Sequence, residues 1–231
     1  MNKRSWIITQ EWHDILFLHW PVPAEDLRQY IPSELELELF NNKAWISLVF
    51  FQVKENRPRF IPSIPGISSF LELNVRTYVT YKEKAGVYFL SIDANNQLIA
   101  KLVKYKNFMP FRQANITLKK NENADTLYSR SKHIESNYET LIASYEPISG
   151  PIERSQLECW LSERYHSWTK IDDQLLRIDN DHTPWTLQKA AYTIHENSIA
   201  SYIKYDDKEN YPIAHYSKMK KAYLYPPVKE T

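Results

Sequence analysis

Short runs rich in Val, Ile, Tyr and Phe, separated by polar breaks, recur along the chain and predict successive strands. The sharpest is FLELNVRTYV, residues 70–79. Strand side chains alternate between faces, so Phe70, Glu72, Asn74, Arg76 and Tyr78 share one face. Leu71, Leu73, Val75, Thr77 and Val79 share the other. One face therefore carries a carboxylate, an amide and a guanidinium between two aromatic rings. KAWISLVFFQV, GVYFLSIDA and the stretch NQLIAKLVKYKNFMPFRQANITL read as further strands. In GVYFLSIDA the alternation puts Val87, Phe89, Ser91 and Asp93 on one face.

Helical spacing is rare. PVPAEDLRQYIPSELELELF predicts a short helix after Pro23, ended before Pro32, and then a strand. In SQLECWLSERYHSWT, Leu157, Trp160, Leu161, Arg164 and Trp168 fall near one helical face. Ser155 with Glu158 three residues on is a capping box. PWTLQKAAYTIHENSIASYIKYD fits a helix or strands, and its β-branched stretches favour strands. KENRPRFIPSIPGISS reads as a proline-rich loop ahead of the 70–79 strand, of the kind that covers a site. There is no repeat and no linker, so residues 1–231 are expected to form a single α+β domain, mostly β. Several of its strands would close into a barrel or a pair of curved sheets, which gives the polar face an inside.

Composition narrows the functions. With 29 basic and 28 acidic residues there is no basic stripe for nucleic acid. The three glycines, Gly66, Gly86 and Gly150, are scattered, which excludes the clustered glycines of dinucleotide and P-loop sites. A lone Cys159 excludes an intramolecular disulfide and a multi-cysteine metal site. No segment has the length of a signal peptide's apolar run or of a membrane span, so a cytoplasmic protein with no membrane partner is expected. His13 and His19 share strand parity but stand too far apart to chelate one metal from a straight strand. No metal and no cofactor are expected.

The polar face has two readings. It is either the solvated side of a half-buried sheet, or the wall of a cavity. In a cavity, Arg76 would grip a ligand carboxylate with two bonds, and Glu72 would serve as an acid or base if burial raised its pKa. Asn74 lies between them. Asp93 would reach the same cavity or open the turn at DANN. His182, in DHTPW, is a second candidate whose competing reading is structural.

FLELNVRTYV, GVYFLSIDA, MPFRQANI, LECWLSERY and HTPW, in this order, together resemble the YqjF-like family. The match runs from His19-Trp20 to Pro184-Trp185. That family is similar in fold to acetoacetate decarboxylase, and the resemblance implies a closed or nearly closed antiparallel β-barrel or cone around a pocket. Acetoacetate decarboxylases form an imine through a lysine in a Pro-Lys-Lys stretch. Here MPFRQA keeps Pro110 but has Phe111 at the reactive lysine and Arg112 at its cationic neighbour. Phenylalanine cannot form an imine and arginine stays protonated. Lys101, Lys104 and Lys106 lie nearby and read as solvated strand residues. Glu72 falls where the decarboxylases have a pocket glutamate. The resemblance thus implies an imine-free pocket in which Glu72, Arg76 and Arg112 meet a small organic acid or carbonyl ligand. The alternative is a structural or interaction protein that kept the barrel and lost its chemistry. Homodimerisation is expected from the resemblance and from the aromatic supply of seven Trp and sixteen Tyr.

Overall fold

In the computed structural model the described residues are 4–97, 109–121, 125–132, 138–201, 203 and 211–230, with backbone alone at 125–132 and 138. Thirteen strands join one sheet: β1 (Ile8–Val22), β2 (Glu36–Leu37), β3 (Ala44–Pro58), β4 (Phe70–Tyr81), β5 (Lys84–Ala94), β6 (Phe111–Lys119), β7 (Asp125–Lys132), β8 (Tyr138–Pro151), β9 (His166–Ile171), β10 (Gln174–Asp181), β11 (Gln188–Asn197), β12 (Ile213–Leu224) and β13 (Val228–Lys229). Helices α1 (Ala24–Arg28) and α2 (Gln156–Ser162) interrupt them.

The sheet closes on itself. Pairing runs β5-β6-β7-β8-β11-β12-β1-β3-β4 and returns to β5. Leu18, Leu48, Leu73, Val75, Ile116, Ala143 and Tyr216 come from strands all round this ring and form one buried cluster. That cluster is what holds the ring together, because each side chain leaves water only when the circuit is complete. A second circuit shares β12, β1, β3, β4 and β5 and is completed by β9 and β10, which meets β12 at Asn180–Leu224 and Asp181–Tyr223. The central parts of β1, β3, β4 and β5 are therefore covered on both faces.

Two β-bulges decide which side chains face which way. An extra residue in one strand shifts its later side chains to the other face. In β5 the register jumps between Val75–Ser91 and Arg76–Phe89, leaving Leu90 extra. Val87 and Phe89 therefore share the face of Tyr78 and Arg76, while Ser91 and Asp93 share that of Val75 and Leu73. The expectation of one face for all four is corrected accordingly. In β1 the register slips between His13 and Leu16, where Asp14 has φ 52°. His13 and His19 do not share a face, contrary to simple parity.

Other expectations need smaller corrections. The SELELELF alternation pairs only at Glu36 and Leu37, along the edge of β4. The proline-rich stretch is strand as far as Pro58, because β1 pairs with it through Ile8 and Thr9. The capping box at Ser155 forms as expected, but α2 stops at Ser162. Glu163 leaves helical geometry, with Arg154, Tyr165 and the Trp185 amide all bonded to its carboxylate. Trp168 accordingly belongs to β9. Residues 188–197 form a strand, whereas Ile199, Ala200 and Ile203 lie beyond its end as buried residues of the ring cluster. The strand expected over 97–108, with Lys101, Lys104 and Lys106, lies outside the described residues except for Gln97.

Where β5 runs parallel to β9, Gly86 leaves room for a close approach of the neighbouring backbone. A Cβ there would stand 2.6 Å from the His166 carbonyl and 2.8 Å from Trp168 Nε1. Backbone cannot give way as a flexible side chain can. Gly86→Ala is expected to lower stability by about 1–3 kcal/mol, read as a lower midpoint in chemical denaturation with an unchanged slope.

Candidate functional site

The site is assembled on the face of the shared strands that does not fill the nine-strand ring. Register pairs lay three rows across it. One contains Ile15 and Ser217 of β1 and β12, with Phe51, Glu72 and Ala94 of β3, β4 and β5. The next runs His215, Phe17, Val49, Asn74, Ile92 and Phe111 across β12, β1, β3, β4, β5 and β6. The third runs Ile213, His19, Ser47, Arg76 and Phe89. Trp185 and Leu187 close one end by packing on Ile15, Phe17, Val49 and Phe51. Leu161 of α2 closes the other against Trp45, Tyr78 and Val87.

The sequence-predicted residues divide between two places. Glu72, Asn74 and Arg76 do share a buried face. Glu72 is 8% exposed and Asn74 2%. Asn74 Nδ2 donates to Glu72 Oε1 at 3.2 Å, and among the described residues that is the only hydrogen bond to this carboxylate. Burial, little offset by Asn74 and Arg76, pushes the Glu72 pKa up to about 7. Arg76 makes no ion pair with any described carboxylate, and its Nε is buried without an acceptor. Its guanidinium carbon stands 6.0 Å from the Phe17 ring centroid. Phe111 packs on the apolar cluster around Phe51, Phe70 and Ala94, half-buried beside the same face.

Arg112 does not meet Glu72 and Arg76. Lying beside Asp93 in the β5–β6 pairing, it faces into the nine-strand ring. Its Nε and Nη2 donate to the two Asp93 oxygens at 2.6 and 3.0 Å, and Nη1 donates to Glu139 at 2.5 Å. Asp93 is 1% exposed. Glu139 also accepts from the Ala200 amide at 3.1 Å. Burial works against the charged arginine, but these bonds outweigh it and hold its pKa above the usual value. Asp93 neither opens a turn nor lines the Glu72 face. It closes an ion cluster at the end of the ring.

His182 borders the site. Its Nδ1 donates to the Thr183 carbonyl at 2.9 Å, and its ring lies 4.7 Å from Tyr165 and 5.1 Å from Trp185. Burial lowers its pKa and keeps it neutral.

Several residues of this face were not singled out for it from sequence. His19 Nδ1 lies 2.8 Å from Ser47 Oγ and 3.1 Å from the Tyr78 hydroxyl, which donates to Leu161 O. Burial first, then His215 and Arg76, hold His19 neutral. Arg164 stacks over Tyr78 and Trp160 while bonding Glu38, which pins α2 to β4. Lys220 is buried against Trp185 and donates to the Pro184 carbonyl at 2.7 Å. Burial lowers its pKa. Only strand register reveals His19, Ser47 and Lys220 as neighbours, since they are contributed by β1, β3 and β12, while Arg164 follows α2. A cleft of about 440 Å³ lined by Gln52, Leu71, Leu118 and Lys120, among others, opens elsewhere and includes none of the candidate residues.

The family model for DUF2071, described as an uncharacterized conserved protein, matches residues 9–221. The chain belongs to this family. It is 39% identical over 223 residues to the uncharacterized protein YqjF of Bacillus subtilis strain 168, covering 96% of this chain and 91% of the relative. Solved structures show the same acetoacetate decarboxylase-like fold at low identity. The enduracididine biosynthesis enzyme MppR, complexed with pyruvate, matches with a TM-score of 0.67 at 9% identity, covering 97% of this chain and 91% of that one. Acetoacetate decarboxylase from Legionella pneumophila matches with 0.63 at 14%, covering 100% and 90%. An acetoacetate decarboxylase-like enzyme from Sphingomonas wittichii RW1 matches with 0.64 at 11%, covering 98% and 94%.

A folded-state pKa of about 7 lies above the ordinary 4.5 of Glu72, so the native state holds this proton more tightly than the unfolded chain. Stability should then fall as pH rises between those values. Against Glu72→Gln, the wild type is expected to lose about 3 kcal/mol from pH 4.5 to 7.5. Denaturation of both proteins across that range checks it. A pH-independent difference would show that Glu72 titrates normally.

Proposed function

We propose that this protein binds a small carboxylate or carbonyl compound on the Glu72–Arg76 face, without Schiff-base chemistry at the family's lysine position. The observation that carries the reading is Arg76: a partly buried cation beside the Tyr78 hydroxyl, with no carboxylate in ion-pair contact and a buried Nε that lacks an acceptor. A buried charge is retained at a cost of several kcal/mol unless something compensates it. A ligand carboxylate would supply both the charge and the acceptor, in the two-pronged geometry that guanidinium favours. Asn74 Oδ1, also buried and unpartnered, offers an acceptor to a ligand hydroxyl or enol. The pyruvate complex of MppR, which shares the fold, supports a ligand of this class. Glu72, protonated or ionised near neutral pH, fits proton transfer in a lyase, hydratase or isomerase. Arg112, committed to Asp93 and Glu139, is removed from the anion-holding role.

The two arginines then separate in one experiment. Arg76→Ala is expected to abolish carboxylate binding with little loss of stability, since no ion pair is broken. Arg112→Ala is expected to destabilise the fold by about 3–5 kcal/mol, because it strands two buried carboxylates. Thermal shifts with a panel of small organic acids read both effects. Absence of any ligand-induced shift in the wild type would favour a non-catalytic interaction protein.

Borohydride added with acetoacetate or pyruvate is expected to leave the mass of the protein unchanged, because Phe111 stands where the imine-forming lysine would be. Lys220 is the described lysine buried on this face. Its bonds to Pro184 O and Thr183 Oγ1 favour the ammonium, which is not a nucleophile. A reduced adduct mapped to Lys220 would overturn the imine-free reading.

A further inference from the structure

Helix α2 carries a carboxylate whose two oxygens do different jobs. Glu158 Oε2 accepts from the Ser155 amide at 2.7 Å, completing the capping box. Glu158 Oε1 faces His215 Nε2 at 2.9 Å. The cap therefore fixes the side chain that orients the imidazole. Burial works against ionised Glu158, but its bonds to Ser155 and His215 outweigh that and keep the carboxyl below its usual pKa. An ionised carboxylate only accepts, so Nε2 carries the hydrogen. The other ring nitrogen of neutral His215, Nδ1, is then a lone pair. His215 is 3% exposed, and Nδ1 is buried with no hydrogen-bond partner.

His215 sits in the same row as Phe17 and Asn74, on the Glu72–Arg76 face. Its ring lies 6.3 Å from that of His19, and the Phe17 ring lies 5.9 Å from His19 and 6.0 Å from Arg76 Cζ. Asn74 Oδ1, Arg76 Nε and His215 Nδ1 are three of the buried polar atoms on this face that lack partners, with Trp45 Nε1 and Arg164 Nη2 toward its α2 end. An acceptor, a cationic donor and a base around one apolar ring fit a 2-oxo acid, with its carboxylate and carbonyl oxygens on the guanidinium.

We propose that Glu158 and His215 form a carboxylate–imidazole dyad whose Nδ1 removes a proton from the carbon next to the carbonyl of the bound ligand. This rests on the ligand class proposed above. The C–H bond breaks, an N–H bond forms at Nδ1, and the electron pair moves onto the carbonyl oxygen as an enolate beside Arg76. Glu158 stabilises the imidazolium through Nε2–H. Return of the proton regenerates the ligand, so the step needs no other reactant. Glu158 is the positioning residue and His215 the base. The groups beside the imidazole are His19 of β1 and Glu158 of α2, with Lys189 of β11 exposed at the register position next to it, while Tyr78 of β4 bonds His19 and Arg76 acts on His19 electrostatically.

The test follows exchange of the pyruvate methyl protons in D2O by proton NMR, with pyruvate binding read separately by saturation transfer. The wild type should accelerate exchange over buffer. His215→Gln should bind pyruvate but lose about 100-fold in exchange. Glu158→Gln should lose part of the rate, because the imidazole is no longer held in its orientation. In the ligand-free protein, nitrogen-15 NMR should show His215 as the Nε2–H tautomer, and less completely so in Glu158→Gln. Exchange undiminished in His215→Gln, or binding without any exchange in the wild type, would overturn the dyad while leaving the ligand site intact. A wild type that fails to bind pyruvate and 2-oxobutanoate alike would overturn both proposals.

Discussion

The central residues of strands β1, β3, β4 and β5 are covered on both faces, and the rest of the structure follows from that constraint. Each is walled on one side by the nine-strand ring and on the other by α2, the 182–187 segment and the β9–β10 arm. Every polar side chain on them must therefore find its partner inside the protein. The two faces meet that demand differently. Inside the ring, Arg112 is saturated by Asp93 and Glu139. On the opposite face, Glu72 has only a neutral amide and Arg76 has no carboxylate. The same residue types thus form a closed structural cluster on one side and an open one on the other. Openness under burial is costly, and it persists most readily where a ligand completes the set.

How much of this was legible depended on distance along the chain. The alternation in FLELNVRTYV correctly put Glu72, Asn74 and Arg76 on one buried face, because β4 has no bulge of its own between them. The capping box at Ser155 and Glu158 was equally plain, being a local pattern. Parity failed in β5 and β1 for one reason: a single extra residue, Leu90 in one and the Asp14–Ile15 pair in the other, reverses every later side chain. The cost of a bulge is set by the neighbouring strand, so nothing in GVYFLSIDA announces it. That is why parity grouped Asp93 with Phe89, whereas Arg112 was set beside Glu72 and Arg76 by the family resemblance alone. His215, Ser47 and Lys220 were illegible as site residues because their meaning arises only when β12 pairs with β1 and β1 with β3.

The acetoacetate decarboxylase-like fold has been kept here with a different set of reactive groups. The family resemblance fixed attention on Pro110-Phe111-Arg112, yet the change there goes further than a lost nucleophile. Phe111 has joined the apolar cluster of Phe51, Phe70 and Ala94, and Arg112 has been drawn into the ring by Asp93. With Arg112 turned into the ring, Arg76 and Lys220 are the cations left on the Glu72 face. Glu72 in ion-pair contact with Arg76 would be held ionised, and each would quench the other. Their separation beyond that contact leaves the Glu72 carboxyl raised to about 7 by burial and Arg76 without a carboxylate partner. In the decarboxylases a lysine supplies the electron sink; on this face the carbonyl oxygen beside Arg76 would have to serve as its own sink. On the proposed reading such a site would stabilise an enolate rather than an enamine. Enolate chemistry asks for a base and a fixed cation, and the face that carries Glu72, Arg76 and His215 would supply both.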